Sequence, residues 1–381
     1  RAPPRGGRAR LGRAALALAL AALALAVGFD RWVAATDLPP LAIDTSTLVL
    51  AHDGRLLRAY TVDDGRWRLP VDPARVDAGY LAMLIAYEDR RFYDHAGVDP
   101  LAMARALVQA AVHGRRVSGA STLTMQVARL LEESGTGRMT GKLRQIRVAL
   151  ALERRLDKGA ILSLYLHLAP YGGNLEGVRA ATLAWFGKEP ARLTPAEAAL
   201  LVALPQAPEA RRPDRAPERA RMARDRVLMR AAELGMLSDE AAQAAQSEVV
   251  PTARRSFPML APHLADRVVA ADPTRRRHVL TLSGPLQARI EALAREAPDG
   301  GADRLQVAIM IADHASGDVL ASVGSAAFRA DQRAGFVDMT RALRSPGSTL
   351  KPLIYALAFD EGLAHPETLF EDRPLAFAPY A

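Results

Sequence analysis

EDRRFYDHAGVDP, residues 88–100, follows directly on an apolar stretch at helical spacing over residues 80–87. An apolar helix that runs into two adjacent carboxylates, two arginines, a histidine and a glycine predicts a helix ending at the rim of a cleft. Glu88 and Asp89 are the residues of chemical interest there. A carboxyl group held beside apolar helix residues has its charged form disfavoured, and a group tuned in this way can move a proton in sugar-transfer chemistry. A solvated helix end with local ion pairs is the plain structural reading of the same residues.

Downstream, GASTLTMQVARLL from Gly119 supplies hydroxyls at Ser121, Thr122 and Thr124, an amide at Gln126 and a cation at Arg129. Hydroxyls and amides near a glycine can cradle phosphate or sugar oxygens, and Ser121 or Thr122 can equally cap a helix. GKLRQIRVALALERRLD, residues 141–157, reads as a helix with Lys142, Arg144 and Arg147 near its start and an apolar face through Ile146, Leu150 and Leu152. Cations so clustered can neutralise a leaving pyrophosphate or form a solvated basic face. ILSLYLHLAPYGGNLEGVRAA, from Ile161, carries Tyr165 and a YGGN break that suits a helix shaping a wall.

Helical patterning runs from about residue 77 to 235, with readable start signals. Asp99-Pro100 gives an N-cap and a first-turn proline, and Thr194-Pro195-Ala196-Glu197 is a capping box. Residues 204–217 hold four prolines and read as a surface loop. Residues 45–69 alternate like a hairpin, with turns at His52-Asp53-Gly54 and Asp63-Asp64-Gly65. Residues 250–280 read as a linker. The period changes to two from about residue 304, with a turn at His314-Ala315-Ser316-Gly317, so a second, mixed domain begins there.

At the N-terminus, five arginines among the first 13 residues precede an uncharged, Ala- and Leu-rich run over residues 14–29. A basic flank before an apolar run predicts a membrane anchor with its N-terminus in the cytoplasm. A cleavable signal, cut near Ala24-Leu25-Ala26, and a buried soluble helix are the other readings. The chain begins with Arg, so a few initial residues are expected to precede it. The net charge of +8 favours an anionic partner, but the arginines are interleaved with Asp and Glu, which argues against a nucleic-acid stripe. Of 50 cationic residues only Lys142, Lys158, Lys188 and Lys351 are lysines. With no cysteine, thiolate chemistry and disulfides are excluded.

The ordered segments EDRRFYDHAGVD, GASTLTMQ, GKLRQ, ILSLYLHLAPYGG and LTPAEAALLVALPQAP resemble the five motifs of the family 51 peptidoglycan glycosyltransferases. The resemblance implies a lysozyme-like helical fold and polymerisation of lipid II into glycan strands with release of undecaprenyl pyrophosphate. It makes Glu88 the general base that takes the proton of the acceptor's 4-hydroxyl, with inversion at the donor's anomeric carbon. Asp89, Phe92, His95 and Gly97 match the rest of the first motif, Ser121, Thr122, Thr124 and Gln126 the second, and Lys142 the donor-site cation. A magnesium or manganese ion at the pyrophosphate is expected through the resemblance only. The third motif usually reads RKxxE; here Gly141 replaces the Arg and Gln145 the Glu, and His167 stands where Asn is usual. Gln cannot ionise, which leaves Arg144 or a water to orient the donor. The KLRQ form resembles the 1C-type subgroup of the class A penicillin-binding proteins.

RSPGSTLKPLIYA, from Arg344, contains Ser348-Thr349-Leu350-Lys351. Residues three apart on a helix share a face, so Lys351 can take the proton of Ser348, and Pro352 is tolerable only in a first turn. The segment resembles the first motif of a penicillin-binding transpeptidase. The S-x-N and K-T-G motifs of that family do not occur by Ala381, so the transpeptidase part is expected to be inactive, with penicillin acylation weak or absent.

The expected architecture is a mainly α, lysozyme-like glycosyltransferase domain after an N-terminal transmembrane helix, followed by the start of an α+β serine transpeptidase domain. Its divisions are a basic cytoplasmic tail (1–13), a signal anchor (14–36), a lead-in β segment (37–76), the glycosyltransferase domain (77–250), a linker (251–302) and a partial transpeptidase domain (303–381). The expected setting is the bacterial inner membrane with the catalytic domain in the periplasm. Lipid II, the growing glycan strand, membrane lipids and cell-wall synthesis proteins are the expected partners, and nucleic acid is not among them. A non-catalytic lipid II-binding scaffold and a lysozyme-like hydrolase are the competing functional readings.

Overall fold

A computed structural model describes residues 6–113, 121–132, 139–296, 306–330 and 335–371. The chain opens with α1 (Gly6–Ala34), whose segment Leu16–Ala34 has a mean hydropathy of 1.8 and is long and apolar enough to cross a membrane. Its leucines at 16, 18, 20, 23 and 25 are exposed. That pattern suits lipid and not a protein core.

β1 (Leu48–Leu50) and β2 (Leu56–Ala59) form the expected hairpin, turning at Gly54 with φ of +82°. β3 (Trp67–Arg68) leaves that hairpin and pairs, parallel, with β4 (Leu175–Glu176). Between them lies the helical body: α2 (Ala78–Glu88), α3 (Pro100–His113), α4 (Leu123–Leu131), α5 (Met139–Glu153) and α6 (Lys158–Leu168). After β4 come α7 (Val178–Phe186), α8 (Pro195–Ala203), α9 (Pro217–Glu233) and α10 (Asp239–Ser247). The caps read from the sequence are present. Asp99 accepts from the amides of Leu101 and Ala102, Thr122 caps α4 through the Met125 amide, and the Thr194–Glu197 box is reciprocal. One apolar core joins these helices apart from α3, centred on Tyr80, Tyr165, Tyr171, Trp185 and the run from Ala198 to Leu204 at the end of α8.

Of residues 251–302, read as linker, the described part, 251–296, is folded. α11 (Pro262–Ala271), β5 (Arg277–Val279) and α12 (Gly284–Glu296) occupy this stretch, and β5 adds in parallel to β1 in the order β2-β1-β5. The strand is three residues long with one buried side chain, His278, too short for periodicity to register. β1 is buried on both faces. Leu48 and Leu50 enter the helical core, while Val49 enters a second cluster with Ala51, Leu57, Ala261, Ala265 and Leu282. Successive side chains of a strand point to opposite faces, so one short strand becomes a wall shared by two packed layers.

β6 (Ile309–Ala312) and β7 (Val319–Val323) form the second antiparallel pair, turning at Gly317 with φ of +78°. α12 packs on β7 through Gln287, fully buried, whose Oε1 accepts from the Ser322 amide at 2.8 Å and whose Nε2 donates to the Ser322 carbonyl at 2.9 Å. α13 (Lys351–Asp360) follows a 3-10 turn over Gly347–Leu350 and has no buried residue.

Candidate active site

Glu88 is the last residue of α2, and its two carboxylate oxygens are held by two amides. Gln126 on α4 donates its Nε2 to Oε2 at 2.8 Å, and Gln206, in the turn after α8, donates its Nε2 to Oε1 at 2.6 Å. Burial pushes the Glu88 carboxyl above its ordinary value, while the two amide bonds and the positive charges of Arg211 and Arg129 pull the other way. Desolvation wins, as expected for a carboxylate seated on apolar helix ends with neutral donors. Tyr80 and Tyr165 lie behind it, both phenols raised chiefly by burial and further by the Glu88 charge. The Tyr80 hydroxyl meets that of Tyr171 at 3.0 Å, whereas the buried Tyr165 hydroxyl has no partner among the described residues.

The other residues of the first motif build the loop that carries Glu88. Asp89 is buried and accepts from the Leu123 amide at 2.9 Å and from His95 Nε2 at 3.0 Å. His95 Nδ1 accepts from the Gly97 amide at 3.1 Å, so the ring proton sits on Nε2 and the Asp89 contact is a donated hydrogen bond. Phe92 is fully buried, with the Lys158 ammonium over its ring at 4.6 Å. Gly97 has φ of +92°, and a Cβ there would stand 2.7 Å from the Ala149 carbonyl oxygen, so the loop touches α5 only because this residue lacks a side chain. Thr122 Oγ1 donates to the Gly97 carbonyl at 2.6 Å, and Thr124 Oγ1 donates to Glu153, which also receives Lys158. These polar atoms are taken up by one another. They fix where Glu88 stands instead of facing a substrate.

Ser121 and Lys142 meet across the site, Nζ to Oγ at 2.5 Å. Arg144 turns to Glu132 at the end of α4, 2.6 Å away, leaving Glu132 Oε2 buried and unpartnered among the described residues. Gln145 is buried at 5 % exposure and makes no hydrogen bond to a described residue. Gly119, which opens the second motif, lies outside the described residues. Arg147, read with the pyrophosphate cations, has another use. It donates to the Trp32 carbonyl, the Thr36 hydroxyl and the Ala35 carbonyl and stacks on Trp32 at 5.0 Å, while Arg154 pairs with Asp30. Together they pin the C-terminal end of α1 to α5, the helix that carries Lys142. His167 serves the fold: its Nε2 accepts from the Val71 amide at 3.1 Å, and Nδ1 donates to the Ser163 carbonyl.

Ser348 and Lys351 are both exposed, and no hydrogen bond joins their side chains. Ser348 sits in the 3-10 turn and Lys351 begins α13, so the two share an exposed helix start. Sequence reasoning singled out Glu88 and Gln126 but missed Gln206 and Arg211. These stand 118 residues or more from Glu88; Gln206 lies inside the fifth motif segment, LTPAEAALLVALPQAP, but nothing in that segment by itself ties it to Glu88.

Residues 53–232 match the family model for transglycosylases, and residues 307–380 match the penicillin binding protein transpeptidase domain. The chain is 45% identical to penicillin-binding protein 1C of Escherichia coli (strain K12) over 343 residues, which is 90% of this chain and 44% of that one. It is 30% identical to penicillin-binding protein 2D of Bacillus subtilis (strain 168) over 89% of this chain and 50% of that one. The chain thus spans about half the length of these curated relatives. The crystal structure of penicillin-binding protein 1A from Haemophilus influenzae aligns with 85% of this chain and 53% of its own, at 18% identity and a TM-score of 0.33.

Proposed function

The chain belongs to the class A penicillin-binding proteins, with a transglycosylase domain followed by the start of a transpeptidase domain, and from that premise we propose that it polymerises lipid II into β-1,4-linked glycan strands with release of undecaprenyl pyrophosphate. The carrying observation is Glu88, its carboxyl raised by burial and held on both oxygens by the amides of Gln126 and Gln206. In the reaction, the Glu88 carboxylate takes the proton of the acceptor's 4-hydroxyl as that oxygen bonds to the donor's anomeric carbon. The bond from that carbon to the pyrophosphate breaks, and its electron pair leaves on the pyrophosphate oxygen. Attack from the opposite face inverts the anomeric carbon. A base with a raised value is matched to proton transfer near neutral pH.

Charge on the departing pyrophosphate falls to Lys142 and Arg129. Arg129 lies close enough to act on Glu88 and has no hydrogen-bond partner among the described residues. No group of three His, Asp or Glu side chains that would hold a metal exists among the described residues. A magnesium or manganese ion held chiefly by the pyrophosphate's own oxygens would need no such group, and would help neutralise the departing charge. Asp89, His95, Gly97, Thr122 and Thr124 keep the base in place.

α1 fits a membrane anchor, and Arg147 and Arg154 hold its end against α5, so the cleft stays beside the surface where a lipid-linked substrate resides. The basic N-terminal flank supports an inner-membrane location with the catalytic domain in the periplasm. Other proteins of cell-wall synthesis are the natural partners there. The neutral Gln145 favours a second reading, a lipid II-binding scaffold, because one carboxylate then stands alone. The deciding experiment gives the chain lipid II in detergent micelles and, separately, purified cell wall. One undecaprenyl pyrophosphate per linkage and growing strands support the polymerase, binding without strands supports the scaffold, and soluble fragments from cell wall support a hydrolase.

A further inference from the structure

Gln206 does more than touch Glu88. Its Nε2 donates to Glu88 Oε1 at 2.6 Å, and its Oε1 accepts from Arg211 Nη1 at 3.0 Å. The same Nη1 donates to the Ala203 carbonyl at 2.6 Å, at the end of α8, so Arg211 is tied to a buried helix end. An amide can present either its oxygen or its nitrogen to a neighbour. With Arg211, a group that only donates, fixed on the oxygen side, Gln206 can offer Glu88 only N–H. A donor of that kind bonds the ionised carboxylate more strongly than the protonated acid, and so favours the ionised form.

We propose that Gln206 and Arg211 are a positioning pair for the general base: Arg211 sets the orientation of the Gln206 amide, and the amide holds one Glu88 oxygen and favours the carboxylate form, leaving a carboxylate lone pair to take the acceptor's proton. This rests on the reading of Glu88 as the base. The remaining charged and titratable groups around the carboxylate are Tyr80 on its own helix, Tyr165 from α6, Arg129 from α4 and Tyr87 beside Arg211, with Arg226 of α9 acting on Arg211. None of them bonds Glu88 Oε1, so Gln206 alone supplies that contact among the described residues.

The test uses Gln206→Met, which keeps the side chain's length, and Arg211→Met, which frees the amide to turn. Two readouts are taken against pH: the rate of strand synthesis, and the modification of Glu88 by a carbodiimide, which attacks the protonated acid, followed by peptide mass spectrometry. For Gln206→Met the expectation is an acid limb moved to higher pH, with strand synthesis roughly tenfold lower on that limb. Recovery towards the native rate is expected at high pH, with the loss in kcat and little change in KM. Glu88 modification should persist to higher pH in step, and Arg211→Met should move both curves in the same direction. Folded variants, checked by native melting, whose two curves overlay those of the native chain would overturn the pair. Should the native chain make no strands at any pH, the polymerase reading fails, and the carbodiimide curves alone decide: a shift supports the orientation of Glu88 by Gln206, and overlay rejects it.

Discussion

Glu88 illustrates how much one carboxyl depends on what lies behind it. Its helix ends on apolar turns, so burial raises the carboxyl, and the compensating donors are neutral amides. A base must be ionised to act, so with its value raised the rate falls on the acid side at a pH above that of an ordinary glutamate, about 4.3. Strand synthesis measured from about pH 4 to 8 should rise with pH along a limb displaced upward from that value. At Gly97 the dependence is steric. Gly97→Ala meets a positive φ and the Ala149 carbonyl oxygen at 2.7 Å, and should cost more than about 2 kcal/mol, read as a lowered Tm together with lost activity. Glu88, Asp89 and Gly97 were legible in the sequence because charged residues and a glycine crowd a helix end. What Asp89 does was not, since its Leu123 amide partner is 34 residues away and carries no mark in the residue type.

At the scale of elements, caps and turns were the most readable features because they are local. Thr194, Asp99, Gly54 and Gly317 each act within four residues of themselves. Pairings at long range were not readable. β3 leaves its hairpin for β4 across more than a hundred residues, and β5 completes a sheet begun at Leu48. Short strands get their meaning from partners, not from their own two or three residues. The α1–α5 junction is of the same kind. Arg147 reads as one cation in a basic helix face, yet it satisfies the carbonyls of Trp32 and Ala35 at a helix C-terminus, where a cation also meets the negative end of the helix dipole. Arg147→Ala should leave the helical body folded, speed proteolysis in the exposed stretch after α1, and lower strand synthesis on vesicles. Arg147→Lys should restore only part, because a single ammonium cannot reach all three acceptors.

For the whole molecule, β1 is the joint. One face packs into the helical core that holds Glu88 and the other into the layer of α11 and α12, which is tied to β7 by Gln287. The lead-in, the stretch read as linker and the second strand pair are therefore packed together instead of being strung on a tether. The net charge of +8 and the outward-facing leucines of α1 suit a body set against anionic, lipid-linked chemistry, which the composition alone left open among several anionic partners. The proposed polymerisation is assigned to Glu88, and its most direct test is the extension of fluorescent lipid II by the native chain in detergent, run beside Glu88→Gln. Long glycan strands are expected from the native chain and none from a variant that still binds lipid II. Strands of similar length and rate from Glu88→Gln would contradict the assignment of Glu88 as the base.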